Sequence, residues 1–127
     1  MKNLKAPLPV YLSGGFYGDY KSLIINELGV DFNVFDPERE PQQIPGIYVG
    51  RDLTAIRNSK LVIAYQNKYP HLYGMAAEIG YAAALDIPVI YICTATRVDS
   101  FLSGLVRATF TDLVSAVKFI KERYSNG

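Results

Sequence analysis

The feature that most constrains this chain is an alternation: short apolar runs are separated by segments of helical pattern along nearly the whole sequence. Pro9-Val10-Tyr11-Leu12-Ser13 is apolar and closed by Gly14-Gly15, which reads as a buried strand turning sharply into a loop. A helix is predicted from Asp19 to Leu28, with Gly29 placed to end it. Phe32 to Phe35 follows as a second strand before a polar, proline-bearing loop from Asp36 to Gly46. Asp52 to Asn58 then reads as a short helix, Leu61 to Tyr65 as a third strand, Gly74 to Leu85 as a third helix and Val89 to Cys93 as a fourth strand. A short fifth strand near Ala108 to Phe110 and a helix from Thr111 to Arg123 complete the set. Strands that are apolar almost throughout must be buried on both faces, and right-handed crossovers bring such strands into one parallel sheet. The expected architecture is α/β: a flavodoxin-like or Rossmann-like three-layer sandwich with a five-stranded parallel sheet and helices on both faces.

At 127 residues, half of them hydrophobic, the chain can bury a core without disulfides and reads as one domain over residues 1–127. Lys and Arg number 13 against 12 Asp and Glu, so the net charge of +1 argues against a general electrostatic hold on polymeric nucleic acid or an anionic membrane. Any anion must be held locally. Cys93 is the only cysteine and there is one histidine, so neither an internal disulfide nor a Cys/His zinc site is supported. The opening stretch, broken by Pro7 and Pro9, is unlike a signal peptide, and no apolar run reaches membrane-spanning length. A cytoplasmic protein is expected, with no metal and no cofactor.

In sheets of this kind ligands bind outside the carboxyl ends of the strands. The loop after the first strand (Ser13 to Gly18), the loop after the third (Gln66 to Tyr73) and the start of the third helix should converge there. That helix is apolar around its circumference except at Glu78. Its small residues Ala76, Ala77, Gly80 and Ala84 would allow close packing on the sheet and against a second subunit, so a homo-oligomer is expected. A carboxylate in such surroundings must reach water, find hydrogen-bond partners or be neutral. Glu78 is thus either an acid that the helix N-terminus favours or the chemical centre of a site. Asp52 puts a second acid at the start of another helix on the same side of the sheet, as a first-turn charge or as a partner to Glu78. Two acids in one cleft suit glycosidic chemistry, in which one attacks the sugar carbon and the other orients a hydroxyl or handles a proton. Tyr11 falls late in the first strand, where its hydroxyl either emerges at the cleft or lies in the core.

Taken together, Val10-Tyr11-Leu12-Ser13-Gly14-Gly15, then Arg51-Asp52-Leu53 with Ile56, then Gly74-Met75-Ala76-Ala77-Glu78-Ile79-Gly80-Tyr81-Ala82 resemble the nucleoside 2-deoxyribosyltransferase family, including its branch of 2'-deoxynucleoside 5'-monophosphate N-hydrolases. The resemblance implies that Glu78 attacks the anomeric carbon to give a glycosyl-enzyme, that Tyr11 hydrogen-bonds this glutamate, and that Asp52 contacts the sugar or assists the base. Ser13, Gly14, Gly15, Phe16 and Gly74 are expected to line the substrate, the two glycines as backbone N–H donors at a strand-end turn. Leu102-Ser103-Gly104-Leu105-Val106-Arg107-Ala108 resembles the stretch by which the hydrolase branch sends a serine into the neighbouring subunit's site, which makes Ser103 a phosphate contact across a homodimer or larger homo-oligomer with shared sites; its plain alternative is a helix-cap serine. Lys21 and Arg107 are further phosphate candidates, although residues of this kind are more often solvated surface charges.

One departure bears on mechanism. Six positions before Glu78 the transferases usually carry an acid and the hydrolases a small polar residue; here Leu72 stands there, so the leaving base cannot be protonated from that position. The neighbouring His71 could take a proton-transfer role or simply face solvent. The loop from Gln66 to Tyr73, with Phe16 and Tyr17 opposite, offers aromatic faces for a base or for packing. The expected function is cleavage of the N-glycosidic bond of a nucleoside or its 5'-monophosphate, with the sugar passed to water or to a second base. Two alternatives share the architecture: a nucleotide-sensing module without turnover, and a TIR-like NAD glycohydrolase.

Overall fold

The computed structural model describes residues 6–14, 19–41, 43–67, 73–95 and 97–125. Five strands, β1 (Leu8–Gly14), β2 (Phe32–Phe35), β3 (Leu61–Gln66), β4 (Val89–Cys93) and β5 (Ala108–Phe110), form one sheet of order β2-β1-β3-β4-β5. All four pairings are parallel. The flavodoxin-like order expected from the alternation is the order observed. Between the strands run α1 (Tyr20–Leu28), α2 (Pro45–Arg57), α3 (Tyr73–Ala84) and α4 (Ser100–Leu105), and α5 (Leu113–Tyr124) closes the chain.

Side chains that alternate along a strand point to opposite faces, and here both faces are buried. Val10, Leu12, Leu61, Ile63, Tyr65, Ile90 and Ile92 pack toward α1 and α5 against Ile24, Leu28, Val117 and Ile120. Tyr11, Val62, Ala64, Val89, Tyr91 and Cys93 form the opposite face against Ile56 of α2, Met75, Ile79 and Ala82 of α3, and Leu102 of α4. Each fully buried aliphatic side chain contributes roughly 1.5–3 kcal/mol by leaving water. Gly29 ends α1, as its place in the sequence predicts, with φ of 78° and ψ of −161°, a backbone conformation open to glycine.

Three elements differ from expectation. The segment read as a loop from Asp36 to Gly46 contains a 3-10 turn at Pro37–Arg39, and α2 begins at Pro45, well before Asp52. Proline at the first helical position has its φ preset and needs no N–H partner, which allows this start despite Gly46 and Gly50. The segment around Ser103 is a helix, α4, capped by Asp99, whose side chain accepts from the Leu102 N–H. Ser103 is therefore not the cap. In α3 the sheet contact is made chiefly by Met75, Ile79 and Ala82, with Ala76 packed beside them; of the other small residues Ala77 and Ala84 are exposed, and a Cβ at Gly80 would meet nothing within 4 Å. Larger side chains remove more apolar area per contact, so they take the inner face.

Candidate active site

Tyr11 and Ser13 are two apart on β1 and share its α3-facing side, at the carboxyl end of the strand. On α3, Met75, Ile79 and Ala82 seat the helix on the sheet, and Glu78 falls three residues after the first and one before the second. That spacing keeps it on the flank nearest the sheet. The result is a clasp: the Tyr11 hydroxyl donates to Oε2 of Glu78 at 2.5 Å, and the Ser13 hydroxyl donates to Oε1 at 2.7 Å. Both carboxylate oxygens are thereby oriented. Tyr11 is itself fully buried and stacks on Phe35 with ring centroids 5.7 Å apart and planes inclined by 16°.

Burial pushes the Glu78 carboxyl above the usual carboxylate range; the hydrogen bonds from Tyr11 and Ser13 pull it back, the charge of Asp52 pushes it further up, and Lys21 draws it down. Burial, with the negative charges of Glu78 and Asp52, drives the Tyr11 hydroxyl far above its ordinary value. A neutral hydroxyl is thereby favoured at Tyr11, which suits it to donate to Glu78.

Asp52 is buried on α2 and acts on Glu78 through its field. Its Oδ1 accepts from Nε of Arg51 at 2.9 Å. Lys21, expected as a phosphate contact or surface charge, is only 5% exposed and pairs with Asp36 at 2.9 Å and Glu38 at 3.3 Å. Gly14 has φ of 147°, and a Cβ there would stand 2.5 Å from the Tyr65 carbonyl oxygen and 2.7 Å from the Tyr20 hydroxyl, so the close approach of β1 to these groups needs glycine. Gly74 is exposed with open space around it. Ser103 is half-buried on α4 and donates to the Asp99 carbonyl at 3.0 Å, and Arg107 is exposed. Gly15, Phe16, Tyr17, His71 and Leu72 lie outside the described residues.

The structure thus brings Tyr11, Ser13 and Glu78 into direct contact, with Asp52 within electrostatic reach. The Ser13–Glu78 bond was open to inference, since Ser13 lies on the same strand face as Tyr11. The Arg51–Asp52 bond was not, because adjacent helix positions point about 100° apart. Among the described residues no group of three or more His, Cys, Asp or Glu could hold a metal ion, and no helix is long and apolar enough to cross a membrane. An apolar concavity of about 530 Å³ between α1 and α5 lies on the opposite face of the sheet from Glu78. Chemically, a partly buried carboxylate with both oxygens oriented can attack an electrophilic carbon or accept a proton.

No family model and no curated protein matches the sequence. Solved structures do. A 2-deoxyribosyltransferase from Bacillus psychrosaccharolyticus superposes with a TM-score of 0.72 at 18% identity, covering 92% of this chain and 92% of that one. A 2-deoxyribosyltransferase from Leishmania mexicana gives 0.73 at 21% identity over 93% of this chain and 99% of its own, and a conserved protein from Enterococcus faecalis V583 gives 0.77 at 16% identity over the same shares. By strand order, layer arrangement and superposition, the chain has the fold of the 2-deoxyribosyltransferases.

Proposed function

We propose that this protein cleaves the N-glycosidic bond of a nucleoside or its 5'-monophosphate, with Glu78 as covalent nucleophile. The observation that carries the reading is the clasp of Tyr11 and Ser13 on the two oxygens of Glu78 at the carboxyl end of β1. In the first half-reaction a Glu78 oxygen bonds to the sugar C1' while the C1'–N bond breaks, and the electron pair leaves with the base, which takes up a proton from solvent. In the second, water or another base attacks C1', gives up a proton to solvent, and the ester bond returns its pair to Glu78, so configuration is retained overall. The two hydroxyl donors favour the ionised carboxylate, which is the attacking species at the outset and the leaving group at the close. Asp52 is suited to orient a sugar hydroxyl and to oppose loss of positive character at the oxocarbenium-like transition state.

The names of two structural neighbours support deoxyribose as the sugar and transfer to a second base as one outcome. A homodimer in which Ser103 reaches the neighbour's site fits the exposed apolar side chains on α4, Phe101 and Leu105, beside the outward face of α3.

A panel of nucleosides, 5'-monophosphates and NAD, scored for free base with and without an added second base, tests the proposal. Glu78→Ala is expected to lower base release at least about a hundredfold, the usual scale for losing a covalent nucleophile. Exchange of bases identifies a transferase, and release into water alone a hydrolase. Unchanged release in the variant, or tight binding with no release by the wild type, overturns the reading.

A further inference from the structure

Arg51 spends its guanidinium on three acceptors at once. Nε donates to Asp52 at 2.9 Å, Nη1 to the Pro41 carbonyl at 2.6 Å and Nη2 to the Pro37 carbonyl at 3.3 Å. Consecutive residues on a helix do not face each other, so the bond to Asp52 requires the Arg51 side chain to fold back along α2. Holding so long a side chain in one rotamer is entropically unfavourable, and the two prolyl carbonyls are what fix it. The segment they bound carries Glu38 and follows directly on Asp36, and both acids pair with Lys21 of α1. The chain of contacts therefore runs from Asp52 through Arg51 and the 36–41 segment to Lys21. Its two ends act on Glu78 in opposite senses.

We infer that Arg51 is a positioning residue of the site: its guanidinium locks the Asp52 carboxylate beside Glu78 and ties it to the segment that anchors Lys21, so that one side chain sets the balance of charge around the nucleophile. The inference builds on the proposed role of Glu78 but makes a claim of its own about the electrostatics of that carboxylate. Among the described residues, Tyr11 and Ser13 from β1 hydrogen-bond Glu78, and Asp52 from α2 and Lys21 from α1 act on it through their charge, Asp52 being held by Arg51 and Lys21 by Asp36 and Glu38. Arg51 is the member whose removal strips the neutralising partner from Asp52 and frees the segment in the same stroke. Lysine can restore the charge but not the three-way geometry.

The test needs no substrate. The titration of the Glu78 side-chain carboxyl, followed by carbon NMR in labelled protein and assigned with Glu78→Gln, is compared in wild type, Arg51→Met, Arg51→Lys and the double variant Arg51→Met with Asp52→Asn. The midpoint is expected to move to higher pH in Arg51→Met, because Asp52 is then uncompensated, and to return toward wild type in Arg51→Lys and in the double variant. Where wild type releases base, the acid limb of kcat/KM moves in the same direction, and Arg51→Met loses about tenfold or more, the scale of a lost charge-assisted hydrogen bond. An unmoved midpoint in Arg51→Met overturns the inference even if its melting temperature falls, since a merely structural arginine would leave the titration alone. Failure of the functional reading is separate: there Glu78→Ala leaves base release unchanged while the Arg51 titrations still stand or fall by themselves.

Discussion

Glu78 illustrates the tension between stability and chemistry at a single residue. Its carboxyl is held above the ordinary range chiefly by burial, so the native state binds the proton more tightly than the unfolded chain does. For a carboxyl raised in this way the linkage sign is negative. Native stability falls as pH rises from the ordinary glutamate value through the raised one. Glu78→Gln removes the desolvated charge while keeping an oxygen to accept and an amide to donate toward the two hydroxyls. The variant is therefore expected to melt above wild type at neutral pH, with the gap closing as the pH drops below the usual carboxylate range. Equal destabilisation at every pH would contradict this. Tyr11 and Glu78 were legible as a pair from chain order and motif. The Ser13 hydroxyl donates to Glu78, a contact the sequence reading did not include.

At the level of elements, the site depends on how β1 ends. Gly14 follows Ser13 directly, with a positive φ and no room for a Cβ between the Tyr65 carbonyl and the Tyr20 hydroxyl, whose ring stacks on Tyr65 at 4.0 Å. Gly14→Ala must either displace the strand end or distort its backbone, at a cost of about 1–3 kcal/mol. Urea unfolding is expected to show that loss, accompanied by reduced base release because Ser13 shifts with the strand; unchanged stability would mean that the approach relaxes freely. Helices were read less well than strands. Glycines at 46 and 50 weaken the helical pattern of α2, and its start rests on Pro45 and on packing of Ile56 that no local window reveals. The six residues of α4 are too few to show a period, and what marks its start is the Asp99 cap.

Across the whole molecule the sheet separates two cores, and only one of them touches the site. Ile63 is fully buried on the α1 and α5 side, whereas Glu78 is clasped on the other. Ile63→Ala is expected to cost about 2–5 kcal/mol in unfolding free energy. Base release per folded molecule should stay near that of wild type below the unfolding transition. A loss of turnover in proportion to the loss of stability would show that the two faces are coupled through the strands.

What the sequence by itself determined was the layered architecture and the end of it where chemistry should sit, because apolar periodicity and glycine punctuation are short-range properties that each segment carries alone. The tertiary structure decided which charges neutralise one another. Tyr11 meets Glu78 across 67 positions and Lys21 meets Asp36 across 15, and such distant partners are set by strand register and helix docking. Burial then fixes what each partnership is worth, since a carboxylate's preference for its proton depends on the water removed and on the donors left around it.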